Sequence, residues 1–321
     1  MKRIAALVAL GAVSVALLGG GASGGSRQLK VALVTDIIST SPRDIRGVIY
    51  LGFLRGVKQF GVQGRVVQSN PKQGLGPVLA ELGRQGYDLV FTGIPASDQD
   101  VKAIARVAAR FPGSRFAIPS QIQDLPTRPK NVVGSVWHVE EPSYLAGYLA
   151  GLMEKARPGK DVVGSIGGYP VSDVFPFIAG FEAGAKKADP GIKTLRGYAN
   201  DFVNPAKCKA VARSQIAEGA GVVFDVAGLC GLGALQAAKA ERVWGIGVDV
   251  DQSYLGPQIL TSVLKGAKGQ DVFLTIKALV QGRLRTGGNL QWNLANGAVG
   301  QGGSARGCLA PSSSSSTRSA G

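Results

Sequence analysis

The chain is poor in the residues that build metal and redox centres. It has one histidine, His138, three cysteines and two methionines in 321 residues. A lone imidazole argues against a zinc site, and Cys208, Cys230 and Cys308 show no metal-ligand spacing; no cofactor and no metal is expected. Charged residues make up only 18% of the chain, which excludes a disordered polyelectrolyte. The 47 glycines follow no triplet period, so a collagen-like chain is excluded as well. Acids are also scarce, 21 against 36 lysines and arginines, for a net charge of +15. These bases are scattered, with no run longer than two and no aromatic-interleaved basic stripe. That pattern argues against nucleic acid as the partner; it suits a protein living beside anionic lipid or cell wall.

Hydrophobic residues make up 45% of the chain and the mean hydropathy is +0.14. This is enough apolar material for one large or two medium α/β domains, each with its own core. Met1-Lys2-Arg3 is a basic start, Ile4 to Leu18 an apolar run, and Gly19 to Ser26 a small-residue stretch in which a peptidase could cut. Residues 1–25 therefore read as a signal sequence, cleaved or kept as an anchor. The apolar run is short for a membrane span, and no lipoprotein cysteine follows it. The expected location is extracytoplasmic: membrane-associated, periplasmic or secreted. Three cysteines fit an oxidising compartment in which one pair forms and one is left over. Cys208 opens one helix and Cys230 lies in the turn after the next strand, which leaves a bridge between them open.

After residue 26, apolar strands alternate with helices of ten to fifteen residues. Strands are expected at Val31–Thr35, Val66–Val67, Leu89–Thr92, Phe116–Ile118 and Val132–Trp137. The cycle restarts at Val162–Ile166 and continues through Lys193–Gly197, Gly221–Asp225 and Trp244–Val248. Two such series predict an α/β protein of two doubly wound parallel-sheet lobes with an interlobe cleft. Lobe 1 is expected to span 26–137 plus 256–285, lobe 2 138–255 plus 286–308, and a Ser-rich tail 309–321.

The most informative segment is Trp244-Gly-Ile-Gly-Val-Asp-Val-Asp-Gln-Ser253. Asp249 and Asp251 follow a buried strand, where α/β proteins place ligand-binding groups. A carboxylate suits a vicinal diol, because it accepts two parallel hydrogen bonds. Asp249 is the candidate; Asp251 and Gln252 are more ordinary turn caps. The same Asp-Val-Asp resembles a phosphatase nucleophile motif, but the downstream acidic pair such chemistry needs is missing: the only later acid is Asp271. Val226-Ala-Gly-Leu-Cys-Gly-Leu-Gly233 spaces its glycines in the reverse order of the dinucleotide fingerprint. Gly228 and Gly231 instead permit close approach of backbone N–H groups to a ligand. No nucleophile–base pair is visible around His138.

Several segments together resemble the basic membrane protein family of ABC-transporter receptors, whose purine-nucleoside-binding members are the best understood. They are Glu140-Glu-Pro-Ser-Tyr-Leu-Ala-Gly-Tyr148, Gly180-Phe-Glu-Ala-Gly184, Tyr198-Ala-Asn-Asp-Phe202, the Ala227–Gly233 turn, Ile246-Gly-Val-Asp-Val-Asp-Gln252 and Leu260-Thr-Ser-Val-Leu-Lys265. The resemblance runs from about Lys30 to Gly300. It implies that Phe202 stacks on a base, Gly228 meets the ligand through its backbone, Asp249 grips ribose hydroxyls and Lys265 hydrogen-bonds to the sugar. The first lobe departs from the family pattern. Relatives carry Asp-Lys-Ser-Phe-Asn after the first strand; here Pro42-Arg-Asp-Ile-Arg46 stands there, with Ile45 in place of the aromatic and Arg46 in place of the amide. Only Asp36 survives upstream, while Tyr50 and Phe53 on the adjoining helix are candidates to replace the lost ring.

The sequence therefore reads as a non-enzymatic solute receptor, a monomer, delivering a nucleoside or other hydroxylated solute to an ABC permease. The alternative it leaves open is an enzyme or ligand-sensing regulator on the same two-lobed fold.

Overall fold

Runs such as Lys30-Val-Ala-Leu-Val-Thr35 leave neither face of a strand fit for water, so both must be covered by helices. The computed structural model describes residues 27–304 apart from 71, 94–96 and 120. The expected signal sequence, Cys308 and the Ser-rich tail lie outside the described residues. Within them the chain forms two units, residues up to 137 with 268–292, and 138–267 with the residues after 292.

In the first unit, strands β1 (Lys30–Thr35), β2 (Gln63–Gln68), β3 (Leu89–Phe91), β4 (Arg115–Ala117) and β5 (Val132–Trp137) alternate with helices α1 (Ile45–Phe60), α2 (Gly76–Arg84) and α3 (Asp98–Arg110). Side-chain alternation along β1 divides the core. Val31 and Leu33 pack with Phe53 of α1, and Ala32 and Val34 with Leu79 of α2 and Ile104 of α3. Local signals set the helix ends. The Asp44 carboxylate accepts the Arg46 N–H at 2.7 Å to start α1, and Gly61, with φ +63°, stops it.

The second unit repeats the plan with β6 (Val162–Gly167), β7 (Lys193–Tyr198), β8 (Val222–Val226), β9 (Trp244–Asp249) and β10 (Ile259–Lys265). Helices α4 (Glu140–Lys155) and α5 (Phe175–Ala188) pack on each other, as do α6 (Pro205–Ala217) and α7 (Gly231–Ala240). Glycine sets the approach of α4 to α5. A Cβ on Gly147 would stand 1.9 Å from the Phe181 carbonyl oxygen, and one on Gly184 1.9 Å from that of Tyr144. The backbones are thus in contact where side chains would hold them apart.

The chain crosses between units after Trp137, Ala267 and Trp292. The second crossing lies later than the expected one near residue 256. The apolar Ile259–Leu264 run extends the second sheet as β10, parallel to β9, and so stays in the second unit. Only then does helix α8 (Gln270–Val280) return, burying Val272 and Ile276 against the first sheet. Residues 289–292, expected in lobe 2, form instead strand β11 (Asn289–Trp292), parallel to β5. Its four residues are too few and too polar to read as a buried strand. β12 (Val299–Gln301) pairs antiparallel with β10. The sheet orders are β11-β5-β4-β3-β1-β2 and β12-β10-β9-β8-β6-β7.

Because a valine at position 184 would drive into the Tyr144 carbonyl, Gly184→Val should destabilise the second unit by about 2–3 kcal/mol or more. Urea unfolding followed by circular dichroism measures the shift.

Candidate functional site

Strands that run parallel all end at one edge of their sheet, so the loops leaving them gather there. In the second sheet β6 lies between β7 and β8. The chain leaves β6 toward one side and later crosses to the other, which opens a crevice at the strand ends. Gly168 and Tyr169 follow β6, the Phe202 turn follows β7, and Gly228 follows β8. Backbone bonds lace these turns together. The Gly168 N–H donates to the Val226 carbonyl at 3.1 Å, Asp201 N–H to the Gly168 carbonyl at 3.1 Å, and Cys230 N–H to the Phe202 carbonyl at 3.1 Å.

The Phe202 ring is 40% exposed and lies against Gly168, where a Cβ would come within 2.1 Å of it. The Tyr169 ring, also half-exposed, stands 5.3 Å from it at 57°. Asp201 shapes this turn. Its carboxylate accepts the N–H groups of Asn204 at 3.0 Å and Val203 at 2.8 Å and pairs with Lys207 at 2.9 Å. The Asn204 N–H, with Lys207 and the Val203 N–H, holds it down to about 2. Gly228 has φ +56°, a left-handed conformation that glycine adopts without strain.

Asp249 closes β9 in an unusual way. Its φ is +64°, and the Val250 N–H donates to the Val248 carbonyl at 2.7 Å across it. This is a three-residue turn of the rare, strained hand, which costs on the order of 1–3 kcal/mol. Strain of this kind is typical of positions where a side chain must be aimed. Burial raises the Asp249 carboxyl above the usual range, and the Lys265 ammonium works against that rise. Lys265 ends the neighbouring strand β10, one residue beyond the register partner of Asp249. Asp251, by contrast, caps its turn, accepting Ser253 N–H at 3.0 Å and Gly303 N–H at 3.2 Å.

Four of the expected ligand residues, Phe202, Gly228, Asp249 and Lys265, therefore leave the same edge of one sheet. Phe202 and Gly228 are in contact, and Asp249 and Lys265 interact. Asp36 belongs to the first unit, where Arg46 Nε and Nη2 grip its two oxygens at 2.8 Å each. That guanidinium holds the Asp36 carboxyl below its ordinary value. Both line a cavity at the strand ends of the first sheet with Thr35, Thr92, Ser135 and Trp292. The suggested substitutes for the missing aromatic do not serve. Phe53 is buried edge-on against Phe91 at 6.2 Å, and Tyr50 packs on the same core.

The family model for ABC transporter substrate-binding proteins of the PnrA-like kind matches residues 48–306. The chain belongs to this family. Among relatives of this PnrA-like member, the ABC transporter nucleoside-binding protein BmpA of Lactococcus lactis is 33% identical, over 93% of this chain and 90% of that protein. Basic membrane protein A of Borreliella burgdorferi is 30% identical, over 94% and 87%. The 38% identity to basic membrane protein B of Borrelia garinii covers 54% of this chain and half the length of that protein. An ABC transporter solute-binding protein from Aeropyrum pernix has the same fold, with a TM-score of 0.68 at 23% identity over 86% of this chain and 76% of that one. So does a transcriptional activator of the comK gene from Bacillus halodurans, with a TM-score of 0.71 at 21% identity over 88% and 92%.

Two residues of the site escaped the sequence reading. Tyr169 was announced only by the pair of glycines before it, at the end of a buried strand. Asp225 hides inside the apolar run Gly221-Val-Val-Phe-Asp225. It is fully buried, accepts the Ala227 N–H at 2.9 Å, and presses on Gly231, where a Cβ would clash with it. Burial pushes its carboxyl well above the ordinary value, and the Asp249 charge adds to the rise. A carboxyl raised on folding holds an extra proton in the folded state. Its stability contribution is full at low pH and is lost as pH climbs past the unfolded value. Asp225→Asn, whatever its effect on absolute stability, should therefore flatten the fall of Tm between about pH 4 and pH 8. Calorimetric scans at successive pH values check the slope.

Proposed function

We propose that this chain is an extracytoplasmic receptor that binds a nucleoside-like ligand and hands it, unchanged, to an ABC importer. The observation that carries the reading is Asp249, turned out of the end of β9 by a strained three-residue turn beside Lys265. An ionised carboxylate accepts the two hydroxyls of a vicinal diol, and a neighbouring ammonium donates to the same sugar. Phe202 offers a half-exposed ring to a flat base, and Tyr169 stands at an angle beside it. Gly228 brings backbone to the ligand without a side chain in the way. The Lactococcus relative is a nucleoside-binding protein, which supports the same class of ligand.

Among the described residues no helix is long and apolar enough to cross a membrane. A monomer that neither turns its ligand over nor binds nucleic acid fits this reading best. The Arg46–Asp36 pair modifies the expected ligand. With each oxygen of its carboxylate already accepting one guanidinium bond, Asp36 shares its acceptors with Arg46, while Arg46 presents further donors. A ligand rich in carbonyl acceptors suits this arrangement better than one that relies on a free Asp36.

Titration calorimetry with adenosine, guanosine, inosine, uridine and ribose tests the reading. Asp249→Ala should cost about 2–4 kcal/mol of binding, a rise in Kd of roughly 30- to 800-fold. An unchanged affinity would remove Asp249 from the site. A product peak after prolonged incubation of the nucleoside with the protein would replace the receptor by an enzyme.

A further inference from the structure

Cysteines 208 and 230 are joined by a disulfide, with Cα atoms 5.5 Å apart. The sequence left this pairing open, and its position has a meaning for the ligand turns. Phe202 to Lys207 are all exposed, and Cys208 is the first buried side chain that follows them. Gly228 and Leu229 are likewise exposed, and Cys230 is the first buried side chain after them. The two exposed turns thus end on the same buried covalent bond. Both sulfur-bearing side chains are wholly inaccessible, within the packed layer of α6 and α7.

Around the bridge the two turns also meet directly. Cys230 N–H donates to the Phe202 carbonyl, and a Cβ on Gly228 would lie 3.4 Å from that same oxygen. A Cβ on Gly233 would come within 1.8 Å of the Pro205 carbonyl, so the first turn of α7 rides on the first residue of α6. The bridge adds a bond to these contacts between two solvent-facing turns. A covalent tie limits the ways they can part, and a site already ordered loses less entropy when it binds.

We propose that the Cys208–Cys230 disulfide is a positioning element of the ligand site, holding the Phe202 turn against the Gly228 turn, so that opening it weakens ligand binding while the unit stays folded. This rests on the receptor reading above for the ligand, and on the structure alone for the turns. Cys208 and Cys230 are positioning residues; neither is required to touch the ligand. A bridge that only staples the unit would lower its stability and leave affinity alone.

The test compares the wild type with the Cys208→Ala/Cys230→Ala variant by calorimetry with adenosine and guanosine at about 10 °C, near the usual maximum of stability. Hydrogen exchange is measured on both proteins without ligand. The expected result is a Kd raised roughly tenfold, with amides of 200–204 and 228–231 exchanging faster and those of β6 and β8 unchanged. Gly184→Val, which weakens the same unit at the α4–α5 contact, should leave Kd where it was. The proposal is overturned if the double variant binds within about twofold of the wild type, or if exchange in the two turns does not change. Should the alanine pair fail to fold, Cys208→Val/Cys230→Ala restores apolar volume without the bond and carries the same two outcomes. Should neither nucleoside bind the oxidised wild type, the receptor reading is in question, and the ligand-free exchange comparison still decides the clamp.

Discussion

A parallel strand can be followed by another only if the chain crosses over and starts again from the same end. That one constraint fixes where chemistry can occur. Every strand of the first sheet, and five of the six in the second, run the same way. Their departing loops therefore collect at one edge, free of the packing demands that govern the strands. The second sheet uses that edge fully. It places a ring after β7, a bare backbone turn after β8, a carboxylate after β9 and an ammonium at the end of β10. The helices beneath are held close by glycine, so the scaffold carrying these loops has little slack.

Much of this was legible in the residues, and the failures are physical. β5 was bounded correctly because both its faces are apolar and polar turns flank it. β6 was placed within one residue, running to Gly167 rather than ending at Ile166, and its six residues are all buried. Helix starts are less sharp in the sequence: α1 begins at Ile45, because the Asp44 cap acts ahead of the apolar stripe. β11 and β12 were invisible because edge strands of four and three residues draw their stability from a neighbour rather than from their own pattern. β10 was seen as a motif without being recognised as a strand, which is why the second crossing was placed too early. For the site, the carboxylate after β9 could be read from position alone. Phe202 and Lys265 needed the family resemblance, because an isolated aromatic or lysine carries no local signal. Asp225 was missed for the opposite reason: an acid within a run of valines looks like noise until its burial is known.

Two acids stand on neighbouring strands of the second sheet, Asp225 in β8 and Asp249 at the end of β9. Burial raises both carboxyls, and at Asp225 the Asp249 charge adds to the rise. At Asp249 the Lys265 ammonium works against it. In the first unit the balance is inverted: the Arg46 guanidinium lowers the Asp36 carboxyl and donates one bond to each of its oxygens, and Arg46 keeps further donors.

The three crossings between units also set a timetable for the growing chain. The first unit comes first in sequence, yet the face of its sheet carrying Val31, Leu33 and Leu89 is completed by Val272, Ile276 and Leu279 of α8. Until those residues leave the ribosome, α1 alone covers that apolar surface, and the edge that β11 will occupy is unpaired. The later unit, by contrast, gathers its five parallel strands from one uninterrupted stretch, 138–267. Vectorial folding would then run against the order of the sequence, with the segment made second able to close its sheet while the segment made first still waits.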